Sequence, residues 1–549
     1  MFGVKIHLVS ASDAGLQAGA AAGRLSHNEG DAYHMFIHQD DHLKNSKVFS
    51  KIFGMGHSSI GEHLSFTFSI DGLSLLSEQE IIGCKFLSPT VKSRRYVMHD
   101  ETGFVLPDVK AEYLYMFEEI NTIAATAYKK LIEDGIPKED ARFVLPYSTR
   151  SSMFLTGNLR SWVSFVKFCD TAKHIHYELK DIASTINNEI LKWVEDNHGI
   201  SSEHMAELFD ADDKVINLLN MSFTDICQDI KNRERTPIAT FRPKFMCQSS
   251  QNVPVNHPEY DFFKMASAAP RIVDHNIPFA LGHGMPRAIQ LMIGERQNRN
   301  LNMHRFEGTT SSFADLDPSK LQYMLASYFP VDFRMIDEIV RFSVEWPLIS
   351  LATLTHLTRH RAMSLFWTDL NMYASKHHAF PPTFIIPTSI QKNKETMDFY
   401  IETLVTMYRL RQQMYIYRPL RRSLGYTLPA GEMVSAFSNI DLRSLSHFLN
   451  LRCCTRAQWE VRLGANHLHK NLYNGGLLHS IVGKEPSTDE RITAFAKYIK
   501  FQAGPSCVSR NGCPEGDKGC GLFKVDNNRH FEYPATHPNG YGTESAGQI

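Results

Sequence analysis

The sequence predicts a mixed α+β protein, rich in helix and built as two tandem copies of one unit, on three observations. Residues 142–168, RFVLPYSTRSSMFLTGNLRSWVSFVKF, align with residues 425–451, GYTLPAGEMVSAFSNIDLRSLSHFLNL. In both, a Leu-Pro pair stands upstream of an Asx-Leu-Arg-Ser motif: Pro146 precedes Arg160 by the same interval as Pro429 precedes Arg443, and the copies are offset by 283. Residues 66–76, FTFSIDGLSLL, alternate apolar and polar as a half-buried strand does. Residues 113–135, YLYMFEEINTIAATAYKKLIEDG, have the period of an amphipathic helix and stop on glycine.

A second match lies upstream, where IIGCKFLS and TRHRAMS align at Ile82 and Arg359 with an offset of 277. A loop six residues longer after Ser364 than after Ser88 reconciles the two offsets. Chance rarely keeps motif order and spacing together, so an internal duplication is the simpler reading. The first copy is assigned to residues 1–235, a connecting stretch to 236–274, the second copy to 275–500 and a tail to 501–549. The connecting stretch includes FRPKFMCQSSQNVPVNHPEYDFF, rich in Pro, Asn and Gln and without helical period. Each copy is expected to run from a helical start through a strand and the motif loop into a long helix. A Leu-Pro turn then leads to a further helix, with Asn158 or Asp441 suited to cap it.

Several function classes are disfavoured by composition. At 549 residues the chain exceeds a single ordinary core. Its 58 basic and 59 acidic residues leave a net charge of −1, so no global field collects nucleic acid or acidic lipid. No apolar run approaches the length of a membrane span, and the start, MFGVKIHLVSASDAG, lacks the signature of a secretory signal; a cytoplasmic protein with no membrane partner is expected. The cysteines are nine and scattered, which fits a reducing compartment better than a disulfide framework. Three of them sit in the tail, CVSRNGCPEGDKGCGLF, without the paired C-x2-C spacing of a zinc site, and no metal is expected. Neither G-x-G-x-x-G nor G-x-x-x-x-G-K-[ST] occurs. Met246–Cys247–Gln248 falls in the connecting stretch and makes no convincing nucleophile site.

The candidate chemistry lies in local clusters. Arg359, His360 and Arg361 join two permanent cations to a donor ring, and guanidinium forks suit phosphate oxygens. Residues two apart on a helix point away from each other, so both arginines meet one anion only if the helix stops there. A solvated helix end is the bland alternative. His57, Ser59, Glu62 and His63 precede the strand and, taken alone, read better as a helix cap, with Ser59 and Glu62 resembling a capping box. KSRRY, with Ser93 and Arg95, is an anion site or a basic turn; Arg142 and Arg160 read otherwise as structural ion pairs. Arg452 and Arg456 are expected on one helix face with Trp459.

Together these residues resemble the flavin-dependent thymidylate synthases. The chain carries RHRAMS at 359–364, GHSSIGEHLSFTF at 56–68, ARFVLP at 141–146 and DLRSLSHFLNLRCCTRAQWE at 441–460, similar to that family's Arg-His-Arg loop, flavin segment, turn and last helix. The resemblance implies two tandem copies of that fold, each a small antiparallel or mixed sheet with a helical bundle. The first copy departs at Ile82, Gly83, Cys84 and Cys169, where the loop and helix arginines are expected, and keeps Ser93, Arg95, Arg142, Asn158 and Arg160. The second keeps Arg359, His360, Arg361, Ser364, Arg443 and Arg452, but has His377 and Gly425 where arginines are expected. Each half retains what the other lost.

The family's homotetramers build their sites across subunits, which implies here a homodimer acting as a pseudotetramer with composite sites. Ser93, Arg95 and Arg142 of the first copy would hold nucleotide with Arg359 and Arg452 of the second, the last two being catalytic. His57, Ser59, Glu62, Asn158 and Arg160 would hold FAD with His360, Arg361, Ser364 and Arg443. The implied reaction is reductive methylation of dUMP to dTMP with methylenetetrahydrofolate and NADPH or NADH as co-substrates, using flavin chemistry and no protein nucleophile. Two rivals stand beside it: modification of another pyrimidine nucleotide, and a non-catalytic flavin- or nucleotide-binding protein.

Overall fold

The computed structural model describes residues 3–38, 41–93, 103–171, 175–205, 242–247, 261–264, 269–275, 338–375, 382–473 and 506. The first copy opens on a strand, β1 (Lys5–Ala11), where a helical start was expected. Helices α1 (Gly15–Leu25), α2 (Ala32–Ile37) and α3 (His42–Gly54) follow, then a 3-10 turn at Ser58–His63. Next come β2 (Ser65–Ser74), α4 (Leu75–Gly83), β3 (Ser88–Val91) and the long α5 (Ala111–Glu133). A short α6 (Lys138–Ala141) precedes β4 (Arg150–Asn158), α7 (Leu159–Thr171) and α8 (Tyr177–His198).

These residues form these elements for local reasons. Strand β2 alternates, burying Phe66, Phe68 and Ile70 on one face. Helix α5 buries Met116, Phe117, Ile120, Ala124, Ala127 and Leu131, a stripe at steps of three and four, and Gly135 beyond it takes φ 80°. Asn158 Oδ1 accepts from the Ser161 N–H at 2.9 Å, the predicted cap of α7. The Leu-Pro turn leads first into β4, which sequence reading missed; its buried Ser151, Met153, Leu155 and Gly157 alternate, but two of the four are small or polar.

Residues 236–274, read as a connection, contribute strands β5 (Lys244–Cys247), β6 (Asp261–Lys264) and, reaching Arg271–His275, β7. The second copy continues with β8 (Arg341–Ser350), α9 (Leu351–Thr358), β9 (Ser364–Trp367) and α10 (Leu370–Ser375). Strand β10 (Thr383–Ile385), α11 (Thr388–Gln391) and α12 (Lys394–Ile416) lead through a 3-10 stretch, Arg418–Thr427, to β11 (Met433–Asp441). Helices α13 (Leu442–Arg452) and α14 (Trp459–Tyr473) complete the described elements. The cysteine-bearing tail from Cys507 on lies outside the described residues.

The duplication is visible as two four-stranded antiparallel sheets of one topology, β1-β2-β4-β3 and β7-β8-β11-β9. A third, parallel sheet, β10-β5-β6, joins the middle stretch to the second copy. Register gives the true correspondence. Ser88 pairs with Thr156 and Ser364 with Asn439, so Ser88 is the counterpart of Ser364 while Thr156 remains the counterpart of Asn439. This corrects the motif-loop alignment by one: Gly83, Cys84 and Lys85 stand where the second copy has Arg359, His360 and Arg361, and the inserted loop is seven residues, not six. The first copy therefore kept one cation of the three, as Lys85.

The two copies meet across an approximate twofold axis, and the Leu-Pro turns lie on it. Tyr147 N–H donates to Leu428 C=O and Ala430 N–H to Leu145 C=O, both at 2.9 Å, with Pro146 opposite Pro429. Ser148 N–H to Tyr426 C=O at 2.9 Å and Gly431 N–H to Phe143 C=O at 2.8 Å extend the same ladder. Within each of these two pairs of bonds, exchanging the copies turns one bond into the other. Nearby, Gln79 of α4 meets Thr355 and Thr358 of α9, its symmetry-related helix. One large core spans the second copy and the junction, taking in Leu76, Phe117 and Phe143 of the first; a second core lies inside the first copy around Phe66, Phe68 and Trp162.

Candidate functional site

Helix α9 starts on a Ser350 cap and runs fully buried to Thr358, where it stops. Arg359 follows in a turn and is exposed, the arrangement that lets the arginines of this loop diverge. His360 is half-buried, and its Nε2 accepts from Arg452 Nε at 2.8 Å, while Arg452 also donates to the His356 carbonyl at 3.3 Å. Burial, then the charges of Arg452, His447 and Arg359, push His360 down to about 3, so the ring is neutral and acts as an acceptor. A neutral ring fixes the Arg452 fork without adding charge.

Arg361 reaches into the first copy, donating to the Leu87 carbonyl and to Ser88 Oγ, both at 2.8 Å. The reciprocal contact, Lys85 Nζ to Ser364 Oγ at 2.9 Å, comes back from the first copy. The cationic loop of the second copy is thereby clasped to the start of β3, the strand that leads to Ser93. Ser93 is half-buried; Arg95 and His377 lie outside the described residues.

Arg142 is buried at the end of α6, where its Nε donates to the Glu139 carbonyl at 3.0 Å. Its charge acts on Asp140 and on Glu460 of the second copy. Asp140 in turn accepts from Ser389 Oγ at 2.5 Å and from Trp459 Nε1 at 2.8 Å, both from the second copy, and Phe143 stacks on Trp459 at 6.2 Å. Arg142 thus stands against the head of α14. Trp459 begins that helix while Arg452 ends α13, so the expected single face of Arg452, Arg456 and Trp459 is broken by the turn between them.

Burial lifts Asp140 to about 7, with Glu139 adding to the rise and its hydrogen bonds and Arg142 opposing it. A carboxyl raised in the folded state contributes stability that is complete below its unfolded value of 3.8 and is lost as pH climbs through about 7. Asp140→Asn is expected to flatten the fall in Tm across that window in a thermal melt series.

The flavin candidates fall into two equivalent clusters. Glu62 pairs with Arg160 at 2.5 Å in the first copy, and Glu338 pairs with Arg443 at 3.3 Å in the second. The expected capping box of Ser59 and Glu62 does not form, because Glu62 is committed to Arg160 and His57 caps the turn without a side-chain bond. Glu338 was missed in the sequence; the signal is DEIVRF set against GEHLSF in the same register that matches Arg359 to Gly83. Among the described contacts within one chain, Arg443 joins its own copy's cluster and is not brought to Arg160.

A family model described as "Thymidylate synthase complementing protein" matches residues 7–195 and 329–474, more than half of the chain. The chain is 32% identical over 155 residues to the flavin-dependent thymidylate synthase of Pyrococcus furiosus, covering 27% of this chain and 62% of that one. It is 34% identical over 140 residues to that of Geobacter sulfurreducens (24% and 59%), and 31% identical over 201 residues to that of Pyrococcus horikoshii (34% and 80%). The chain thus spans about three fifths of the length of the first two relatives. Among solved structures, it is similar to thymidylate synthase X of Helicobacter pylori with FAD and dUMP at 21% identity and a TM-score of 0.29, covering 36% of this chain and 97% of that one. A UMP/dUMP methylase of Streptomyces cacaoi bound with 5-Br dUMP gives 21% and 0.30, covering 37% and 94%.

Proposed function

The chain belongs to the thymidylate synthase complementing protein family, with both of its halves matched, and from that premise we propose that it is a flavin-dependent thymidylate synthase. In this reading it converts dUMP to dTMP with FAD as cofactor and methylenetetrahydrofolate and NADPH or NADH as co-substrates, in the cytoplasm, as a homodimer. The observation that carries the reading is the reciprocal clasp of Arg361 on Ser88 and Lys85 on Ser364. It supports a composite site in which the second copy's cationic loop faces the first copy's Ser93 segment.

Arg359 and Arg142 supply guanidinium charge for the nucleotide phosphate and for negative charge that grows on the uracil ring, while His360 holds Arg452 in place. The donor set also fits a phosphate-bearing cofactor: Arg160 and Arg443 leave 52% and 46% of their side chains exposed while paired to carboxylates. His57, Ser59, Glu62, Asn158 and Arg160, with His360, Arg361, Ser364 and Arg443, would hold it, the latter group arriving from a second chain. Once bound, FAD supplies the hydride chemistry that side chains lack. No helix among the described residues is long and apolar enough to cross a membrane, and none of them form a group of three or more His, Cys, Asp or Glu that could hold a metal.

Helix α10, in the inserted loop, packs on the 3-10 stretch before β11. Expression of the chain in a thymidine-requiring bacterium is expected to restore growth without thymidine, and the purified protein is expected to be yellow. A colourless protein that fails to rescue growth sinks the reading in favour of a binding module.

A further inference from the structure

We infer that each chain carries one working composite site, and that residues 367–375 of its own second copy fill the symmetry-related place. The twofold axis generates a second location, built from the α4 loop of the first copy and the segment after β9 of the second. At the positions of Arg359 and Arg142 that location has Gly83 and Gly425. A Cβ on Gly83 would lie 2.8 Å from the Trp367 ring, and a Cβ on Gly425 would lie 2.4 Å from Asn371 Oδ1. Both glycines where arginines stand on the other side are therefore covered by the same short segment.

That segment is fastened where it lies. Asn371 Oδ1 accepts from the Gly425 N–H at 2.9 Å, and Tyr373 donates its hydroxyl to the Met433 carbonyl at 2.5 Å. Helix α10 lies in the loop that is seven residues longer than its first-copy counterpart.

Charge agrees with shape. Where the second copy sets Arg452 on His360, the first has Cys169 and Cys84; the Cys84 thiol turns to the Glu80 carbonyl at 3.7 Å, as Arg452 turns to that of His356. Burial and the neighbouring Asp369 push Glu80 up to about 8, and burial and Glu80 push Cys84 to about 12, so this side offers carboxyls and inert thiols. Lys85 spends its ammonium on Ser364. An anion finds cationic forks on one side of the axis and, on the other, a filled recess that has no guanidinium at the matching positions.

The ligand used to count sites rests on the function proposed above; the packing does not. Isothermal titration of the full chain with dUMP is expected to give one site per chain, and Arg359→Ala to weaken that binding at least ~10-fold with no residual tight fraction. Two sites per chain, or half the sites surviving in Arg359→Ala, overturn the inference. Gly83→Ala is expected to lower Tm by roughly 2–4 °C in the native chain and not in a Trp367→Ala background. Equal losses in both backgrounds overturn the filling of the recess, whether or not dUMP binds. Absence of any dUMP binding counts instead against the proposed function, with the Tm pair still deciding this inference.

Discussion

Under the function proposed above, Arg359→Ala and Arg142→Ala, made separately, are each expected to lower kcat/KM for dTMP formation by at least ~100-fold, because each would remove a guanidinium from the developing charge of the substrate. The two residues come from different copies, yet the clasp of Arg361 on Ser88 is made inside one chain. Mixing the two purified variants is therefore expected to restore no activity. Full activity in either variant refutes the composite site, and activity recovered on mixing shows instead that the two arginines meet from different chains. A spectrophotometric assay of the variants alone and mixed separates the three cases.

Arg411→Ala is expected to cost about 3–5 kcal/mol of stability, the usual toll of stranding a buried charge. Arg411 forks onto Glu432 with two bonds of 2.7 and 2.9 Å, and their side chains are 2% and 0% exposed. Burial already pushes Glu432 upward, and Arg411 holds it down. At the matching positions the first copy has Tyr128 and Thr149, a neutral solution to the same place. The double variant Arg411→Tyr/Glu432→Thr is expected to recover most of the loss in chemical denaturation. A single variant as stable as the native chain refutes the account.

The elements that were legible in the sequence share one property: their signal is local. The stripe of α5, the alternation of β2 and the caps at Asn158 and Asp441 depend on residues within a few turns of each other. Strand β4 was hidden because small residues, Ser151 and Gly157, share its buried face; at Gly157 the close packing of Trp162 and Leu87 leaves no room for a larger one. Strand β7 was hidden because its identity depends on pairing with β8, where Arg271 lies opposite Glu345, far along the chain. In the candidate site, Arg359, His360 and Arg361 stood out as charge at the end of an apolar run. Glu338 and Lys85 did not, since each matters only as the counterpart of a residue in the other copy.

The sequence alone determined that this protein is a duplicated unit, that its arginine-rich motifs were shared out between the copies, and that the unit is mixed α+β. Those facts reside in residue type and spacing, which survive without any three-dimensional contact. Only the tertiary structure decided how the copies correspond residue for residue, because strand register moves a match by one position where unaligned loops cannot. It also decided what the losses mean. In the sequence Gly83 and Gly425 are only departures from expected arginines, but in the fold each is the space that Trp367 and Asn371 require, and a side chain cannot occupy a volume already filled.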